Sequence, residues 1–174
     1  MYKKIIILVF IICSTFIVDA QSFKKNDLLI DLGAGFGENW FTEIKAKPIF
    51  NISVENGIVK MSNFATLGIG ALGYSNNSKI GEDEFSSTVI AAKAILHFTL
   101  FNSKKIDFYA GEGIGIFFYQ HHYYLGNKLY FDDGILPYWS FIIGTRLMVN
   151  DRLGFFAELH QKAPLINGGI TIKF

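Results

Sequence analysis

The chain has 174 residues, and its 16 lysine and arginine residues nearly balance its 15 aspartate and glutamate residues, for a formal net charge of +1. This balance leaves no basic surface that would attract a nucleic acid, so we expect no nucleic-acid partner. The single cysteine excludes an internal disulfide. After residue 20, no segment approaches the run of about 18 apolar residues that indicates a membrane-spanning helix.

Residues 1–20 have the three parts of a secretory signal peptide. Two lysines give a positive start, an apolar run extends from Ile5 to Val18, and small residues precede a cleavage site after Ala20. The alternative is an uncleaved anchor, but this run is shorter than the roughly 20 residues that a membrane span needs. We therefore expect a secreted mature chain of residues 21–174, with 14 residues of each charge sign.

The mature chain shows eight segments in which apolar residues alternate with glycine or polar residues. This period of two is typical of strands, whose successive side chains point to opposite faces. The segments cover about residues 27–37, 43–55, 58–74 and 87–101, then a strand that starts at residue 106, a strand that ends near residue 149, residues 153–161 and the final residues 168–174.

The second and third segments are joined at Asn56-Gly57, the strongest hairpin signal in the chain. We place a two-residue turn there, which would pair Val54 with Val59, apolar against apolar. Pro48 within the second strand lacks an amide donor. It would suit an edge strand, but a sheet that closes into a barrel has no edge strand. We expect either a bulge or a later strand start at that position.

The connections between the predicted strands alternate in length. The turns after strands 2, 4 and 6 occupy residues 56–57, 102–105 and 150–152, whereas the connections after strands 3 and 5 are long. Short turns on one rim and long loops on the other are the arrangement of outer-membrane barrels.

The final strand gives the most informative pattern. Ile170, Ile172 and Phe174 fall on one face, and Thr171 and Lys173 fall on the other. An alternating last strand with an aromatic end resembles the last strand of bacterial outer-membrane β-barrels. The whole mature chain, residues 21–174, resembles the small OmpA/OmpX-like family.

This resemblance implies an all-β fold, an eight-stranded antiparallel up-and-down transmembrane β-barrel in the outer membrane. It also implies that Ile170, Ile172 and Phe174 form the insertion signal, which is read by the barrel-insertion machinery. The expected partners are therefore that machinery and outer-membrane lipid.

One face of the predicted strands carries glycines and charged residues, and the opposite face is almost uniformly apolar. We expect the charged face to line the lumen as a network of paired charges: Asp31, Lys45, Lys47, Lys93, Glu112, Arg146 and Glu158. Within it we expect Arg146 to pair with Glu158, and Lys93 with Glu112. Eight strands enclose only enough space for side chains to fill, which predicts a sealed lumen. A soluble lipocalin-like carrier would turn its apolar face inward, and a porin-like barrel would conduct.

Few residues indicate chemistry. Some eight-stranded outer-membrane barrels modify lipid A, and one deacylase family uses a His-x-Ser pair with a carboxylate; His97-Phe98-Thr99 resembles it only in part. Glu158-Leu159-His160 offers an acid–base pair. His121-His122 and Asp132-Asp133 offer metal ligands, but adjacent strand residues point to opposite faces. We expect lumen-network histidines and no catalysis, cofactor or metal; a lipid A-modifying enzyme is the alternative.

The long connection between strands 5 and 6 is rich in aromatic residues. It indicates a hairpin that extends both strands beyond the membrane around Gly126-Asn127-Lys128. Exposed aromatic surface favours partner binding, so we expect a structural or surface-interaction role with an extracellular partner. The loop interaction candidates are His122, Tyr123, Tyr124, Tyr130 and Phe131.

Overall fold

The computed structural model describes residues 23–37, 48–62, 64–81, 83–98, 105–125, 128–162 and 164–174. The predicted signal peptide lies outside these residues. The strands are β1 (Leu28–Phe36), β2 (Ile49–Lys60), β3 (Ala65–Ile80), β4 (Asp83–Phe98), β5 (Ile106–Leu125), β6 (Lys128–Met148), β7 (Leu153–His160) and β8 (Ile166–Lys173). Within the described ranges, no helix is long and apolar enough to cross a membrane.

Each strand pairs antiparallel with the next one along the chain, and β8 pairs with β1 to close the ring. The closing register sets Leu32 opposite Ile170 and Asp31 opposite Thr171. The predicted fold class is therefore confirmed: the protein is all-β and forms an eight-stranded antiparallel up-and-down β-barrel of the transmembrane type.

The predicted turn at Asn56-Gly57 is wrong. β2 continues through both residues, and Asn56 pairs with Leu28 of β1 on one side and with Ile69 of β3 on the other. β2 instead ends at Lys60 and β3 begins at Ala65. Strong local turn chemistry is overridden here because both flanking strands supply partners that a turn would forfeit.

Gly57 has a different use from the predicted one. The segment before β1 folds against it: the Asn26 amide donates to the Gly57 carbonyl (2.7 Å), and the Gly57 amide donates to the Asp27 carbonyl (2.9 Å). A Cβ at this position would lie 3.2 Å from the Phe23 ring and would collide with the Lys24 carbonyl. Glycine therefore permits a close backbone approach that closes this end of the barrel.

Pro48 immediately precedes the first residue of β2. Of the two expected solutions, the later strand start is the one that the structure shows. Proline at the edge of the strand therefore removes no donor from the β2 ladder.

The two faces of the wall differ sharply. β7 alternates between exposed and buried side chains along its whole length. Large apolar side chains face outward around the ring, with exposed fractions of 56% for Ile52, 68% for Ile114 and 50% for Ile143. A lipocalin-like carrier would show the reverse arrangement, and so broad an apolar surface is unusual for a soluble monomer.

The strands differ in length by more than twofold. β5 and β6 have 20 and 21 residues, whereas β7 and β8 have 8 each. We call the end of the barrel where β2 is followed by β3, and β6 by β7, the lower rim. Above the opposite, upper rim, the far halves of β3, β4, β5 and β6 continue as a protruding sheet, made of residues 76–80, 83–88, 118–125 and 128–136. β7 pairs with β6 only over Ile142–Met148, so the upper part of β6 has β5 as its only described neighbour.

Candidate functional site

The lower half of the lumen is organised around Arg146 of β6, which is 1% exposed. Its guanidinium donates to Asp107 Oδ2 on β5 (2.9 Å), to Asp31 Oδ2 on β1 (3.1 Å) and to Thr171 Oγ1 on β8 (3.0 Å). The planar fork of arginine suits such divergent contacts, since its donors point in fixed directions. One side chain thus connects four strands, including the two that close the ring.

Lys93 of β4 extends the network to β2. Its ammonium group lies 2.8 Å from Glu55 Oε2, donates to Ser53 Oγ at 3.1 Å and lies 3.9 Å from Asp31 Oδ2. All four residues are buried. Buried charges need such paired, hydrogen-bonded surroundings, because desolvation would otherwise cost several kcal/mol per ion.

His97 of β4 links Asp107 to Glu55 at the lower end of the network. Its Nδ1 lies 2.7 Å from Asp107 Oδ2, and its Nε2 contacts Glu55 Oε1. Ionised carboxylates only accept hydrogen bonds, whereas a neutral imidazole offers one donor and one acceptor. Contact with both Asp107 and Glu55 therefore requires one more proton, either on the imidazole or on one of the carboxylates. The Phe23 ring covers His97, with 4.1 Å between ring centroids, and separates the network from the lower opening.

A second cluster surrounds Glu158 of β7 higher in the lumen. The Tyr109 hydroxyl donates to its Oε1 (3.0 Å), and the Asn167 amide donates to its Oε2 (2.9 Å). His160 Nε2 lies 3.0 Å from the same Oε2, and the Tyr74 hydroxyl lies 3.3 Å from His160 Nδ1. The predicted acid–base pair therefore lies inside the barrel.

The expected pairing of Arg146 with Glu158 is wrong. Tyr109 lies between them: its ring centroid is 4.7 Å from Arg146 Cζ, and its hydroxyl binds Glu158. Tyr109 faces Gly144 across the β5–β6 ladder, where a Cβ would lie 2.6 Å from the tyrosine hydroxyl. The glycine thus makes room for an aromatic ring that separates the two charges.

The lumen position predicted for Glu112 is also wrong. Glu112 is exposed on the outer face of β5, where Trp139 Nε1 donates to its Oε2 at 3.4 Å. β5 buries its odd-numbered residues, such as Tyr109, so an even-numbered residue must point outward. Glu55 takes the place expected for Glu112 as partner of Lys93.

The structure places the other predicted network residues as follows. Asp31, Lys93, Arg146 and Glu158 are all buried inside the barrel, whereas Lys45 and Lys47 lie outside the described residues. Glu55 and Asp107 were not predicted as members of the network, whereas His97 was expected in the lumen and lies there. Strand parity alone identifies Glu55, because it is the last residue of the predicted second strand and shares a face with Ser53.

A ladder of aromatic rings begins at Phe117 in the upper lumen and continues along the inner face of the protruding sheet. Phe117 stacks on Tyr119 with 6.0 Å between centroids, and Tyr123 stacks on Tyr130 at 5.6 Å. The His121 ring lies beside the Tyr123 ring, with 4.9 Å between their centroids. The ladder therefore continues the lumen surface upward, away from the barrel.

The predicted loop interaction residues divide between two faces. Tyr123 and Tyr130 belong to the inner ladder, whereas His122 and Phe131 meet edge to face on the outer side, with 4.8 Å between centroids. Tyr124 is 45% exposed, and its amide donates to Asp83 Oδ1 (3.0 Å).

The proposed metal ligands are divided in the same way. His121 lies beside Phe85 on the inner face, opposite to His122, so the two imidazoles do not converge. Within the described residues, no group of three or more histidine, cysteine, aspartate or glutamate side chains is arranged to hold a metal ion.

The protruding sheet has an acidic balance. Its described residues include two lysines and four carboxylates: Lys79, Lys128, Asp83, Glu84, Asp132 and Asp133. Lys79 Nζ lies 2.6 Å from Glu84 Oε1, and this hydrogen bond lowers the pKa of Glu84. Asp132 and Asp133 form no hydrogen bond or ion pair with other described residues, so their charges face solvent.

The predicted insertion signal lies at the lower rim. Ile170 is 40% exposed and Phe174 is 67% exposed, both outward, while Thr171 and Lys173 are buried. Leu28 and Phe174 exchange backbone hydrogen bonds of 3.2 Å and 2.9 Å beside the β1–β8 seam.

No protein-family model and no curated protein sequence matches the chain. Solved structures do. Ail, the attachment invasion locus protein of Yersinia pestis, in complex with the heparin analogue sucrose octasulfate, is 11% identical with a TM-score of 0.57, over 86% of this chain and 99% of Ail. The N-terminal β-barrel domain of Pseudomonas aeruginosa OprF is 11% identical with a TM-score of 0.53, over 87% of this chain and all of that domain. The chain therefore has the small eight-stranded barrel fold of these proteins, the fold implied by its resemblance to the OmpA/OmpX-like barrels.

Proposed function

We propose that the protein is an integral outer-membrane β-barrel with a sealed lumen, exported by a cleaved signal peptide at residues 1–20, whose protruding sheet contacts a partner outside the cell. One observation carries the proposal: the wall is apolar outside and holds a buried ion network inside. A closed barrel pairs every strand, which is what a chain needs where no water can satisfy its backbone.

Strand length supports the membrane location. β7 and β8 have 8 residues each, close to the roughly 9–11 that a tilted strand needs to cross a bilayer. The apolar outward face on β5 and β6 extends up to Phe118 and Ile135, below the protruding sheet's charges. The sheet would then stand in the aqueous phase, accessible to a partner.

Cell fractionation with gel analysis tests this location. We expect the full chain to pellet with the outer membrane and to change its gel mobility on boiling, because a folded barrel resists dodecyl sulfate in the cold. Recovery in the soluble periplasmic fraction would contradict the proposal and favour a carrier.

The lumen is expected not to conduct ions. Arg146, Tyr109 and Tyr138 are among the largest fully buried side chains, and Phe23 covers the lower end. An eight-stranded barrel leaves no further space once such side chains fill it. Planar-bilayer recording of purified protein should show no steady current. A stable conductance graded by ion size would contradict the sealed lumen and indicate a porin-like role.

The chemistry of the protruding sheet limits its partner. Sucrose octasulfate, the heparin analogue in the Ail complex, is a sulfated sugar. Here the solvent-facing carboxylates of Asp132 and Asp133 would repel such a polyanion, and the ladder around Tyr123 and Tyr130 offers flat aromatic surfaces. We propose a neutral or cationic extracellular partner, bound through stacking and cation–π contacts.

Heparin chromatography tests this charge argument. The wild-type protein in detergent should pass through a heparin column at physiological salt. The variant with Asp132→Lys and Asp133→Lys should be retained, because the upper part of β6 changes sign. The control, Asp151→Lys in the lower turn, should elute with the wild type, because this charge lies at the opposite end of the barrel from the protruding sheet. Retention of the wild type would contradict the proposed partner class.

A second candidate function is an esterase acting on outer-leaflet lipid. Ser86, Glu84 and His122 line one pocket on the outer face of the protruding sheet, with Glu84 directly across the ladder from His122. Two observations argue against an esterase. Glu84 forms a salt bridge with Lys79, and within the described residues no hydrogen bond joins Ser86 to His122. By contrast His97, the histidine of the partial His-x-Ser resemblance, is buried in the lumen, and Thr99 lies outside the described residues.

Mass spectrometry of lipid A separates the two functions. Cells expressing the wild type or the Ser86→Ala variant should give the same lipid A masses under the main proposal. Loss of an acyl chain in the wild type alone would instead assign the esterase function.

A further inference from the structure

Glu112 is a carboxylate in the middle of the apolar outer surface. Its outward neighbours on β5 are Ala110 and Ile114, and it lies six residues along the strand from Ile106 at the lower rim. With about 3.3 Å per residue and a tilt near 45°, this places it ~14 Å above that rim. If the barrel lies in the outer membrane as proposed, Glu112 is near the centre of the hydrocarbon layer, where a polar group is costly unless a partner satisfies it.

Within the described residues, only one of the two oxygens of the Glu112 carboxylate accepts a hydrogen bond, and the donor is Trp139. Trp139 Nε1 donates to Oε2 over 3.4 Å, longer than the usual N–H···O distance. The other oxygen, Oε1, has no hydrogen-bond partner among the described residues. The group therefore has capacity for a donor that comes from outside the chain.

The surface around Glu112 has the shape of a shallow depression. Glu112 pairs with Ala94 across the β4–β5 ladder, Ala92 lies diagonally beside it on β4, and Ala110 precedes it on the same face of β5. Large isoleucines rise around these small residues, with exposed fractions of 61% for Ile90, 68% for Ile114 and 50% for Ile143. Protruding side chains beside a depression of matching size can interlock with the same surface of another molecule.

We propose that this patch, centred on Glu112 and Ala94, is the contact between two copies of the chain in the membrane. A two-fold interface sets one patch against itself, so the patch must carry both a donor and an acceptor. Trp139 and Glu112 supply the two: each indole has a single N–H, which gives up its long contact within its own copy and donates to the free carboxylate oxygen of the other copy. The isoleucines of each copy fill the alanine depression of the other.

Disulfide cross-linking in isolated outer membranes tests the contact. Residues 21–174 contain no cysteine, so any disulfide-linked dimer of the mature chain must form through the cysteine that is introduced. Ala94→Cys should give a covalent dimer on oxidation. The matched control is Leu32→Cys on β1, three strands away from β4 around the ring, which is outward-facing and 41% exposed. We expect about tenfold less dimer from the control.

Two substitutions at Glu112 test the chemistry of the contact. In the Ala94→Cys background, Glu112→Leu should lower the dimer yield about tenfold, as expected for loss of a hydrogen bond within the membrane. Glu112→Gln keeps an acceptor and should retain the dimer. Only protein with the gel mobility of a folded barrel is counted, so a variant that misfolds does not affect the comparison.

Equal yields from Ala94→Cys and Leu32→Cys, or a dimer insensitive to Glu112→Leu, would overturn the two-copy contact while leaving the membrane location intact. A cross-linked product whose mass is not twice that of the chain would assign the patch to another membrane protein and would also overturn it. Absence of the protein from the outer-membrane fraction would overturn the proposed function, and this inference with it.

Discussion

Replacement of Arg146 by methionine is expected to lower the free energy of unfolding by about 3–5 kcal/mol, because it removes the cation that the buried carboxylates of Asp31 and Asp107 share. As a cationic partner, Asp31 then keeps only the more distant Lys93, at 3.9 Å, and Asp107 keeps only His97. Arg146 contacts both at 3.1 Å and 2.9 Å, and it also holds Thr171 on β8. The measurement is a urea titration of the barrel refolded in lipid vesicles, followed by the change in gel mobility between folded and unfolded protein.

The matched control is Arg152→Met, which removes an exposed cation from the lower turn and should change stability by no more than about 0.5 kcal/mol. Adding Asp31→Asn to Arg146→Met should recover part of the loss, because one unpaired charge is neutralised. A stability loss equal to that of Arg152→Met would show that the network contributes little, and lack of any recovery would argue against charge as the cause.

Replacement of Ile143 by arginine is expected to destabilise the membrane-embedded barrel by about 2–4 kcal/mol, the cost of a cation at the bilayer midplane. Ile143 is 50% exposed on the outer face of β6. Phe131→Arg is the matched control, since Phe131 shares the strand and the face but lies in the protruding sheet, above the membrane. The same urea titration compares them.

Similar losses from Ile143→Arg and Phe131→Arg would contradict the placement of the membrane boundary. Arginine at the neighbouring Gly144 should fail for another reason. That position faces the Tyr109 ring inside the lumen, so a long side chain would displace the ring from Glu158.

Alternation predicts the fold well because it depends only on neighbours along the chain. A strand with period two in a two-sided wall fixes which residues point outward, and Ile52 or Ile143 needs no further information. The eight strands and the inward positions of Asp31, Lys93, Arg146 and Glu158 follow from this rule, whereas the closed ring is implied by the resemblance of the chain to outer-membrane barrels.

The pairings inside the barrel cannot be predicted in the same way, because they depend on ring closure. Arg146 binds Asp31, which is 115 residues away in sequence and adjacent only because β8 pairs with β1. The insertion of Tyr109 between Arg146 and Glu158 depends on the space above Gly144, which no sequence spacing reveals.

Two wrong predictions give one local rule too much weight. The Asn56-Gly57 signal predicts a turn, although its residues also suit the ladders on both sides. The lumen position predicted for Glu112 follows from its charge, against the parity of β5, which points it outward. In both cases the strand's own alternation is the more reliable guide.

The unequal strand lengths have a consequence for the protein outside its membrane. The upper part of β6 offers a row of backbone donors and acceptors with no described strand beside it, and such edges promote aggregation. Asp132, Asp133 and Pro137 lie along this edge, and charges and proline are the means by which natural sheets block edge-to-edge pairing. Purified protein should therefore remain dispersed in detergent, whereas the variant with Asp132→Asn and Asp133→Asn, which lacks both edge charges, should form fibrous or sheet-like aggregates.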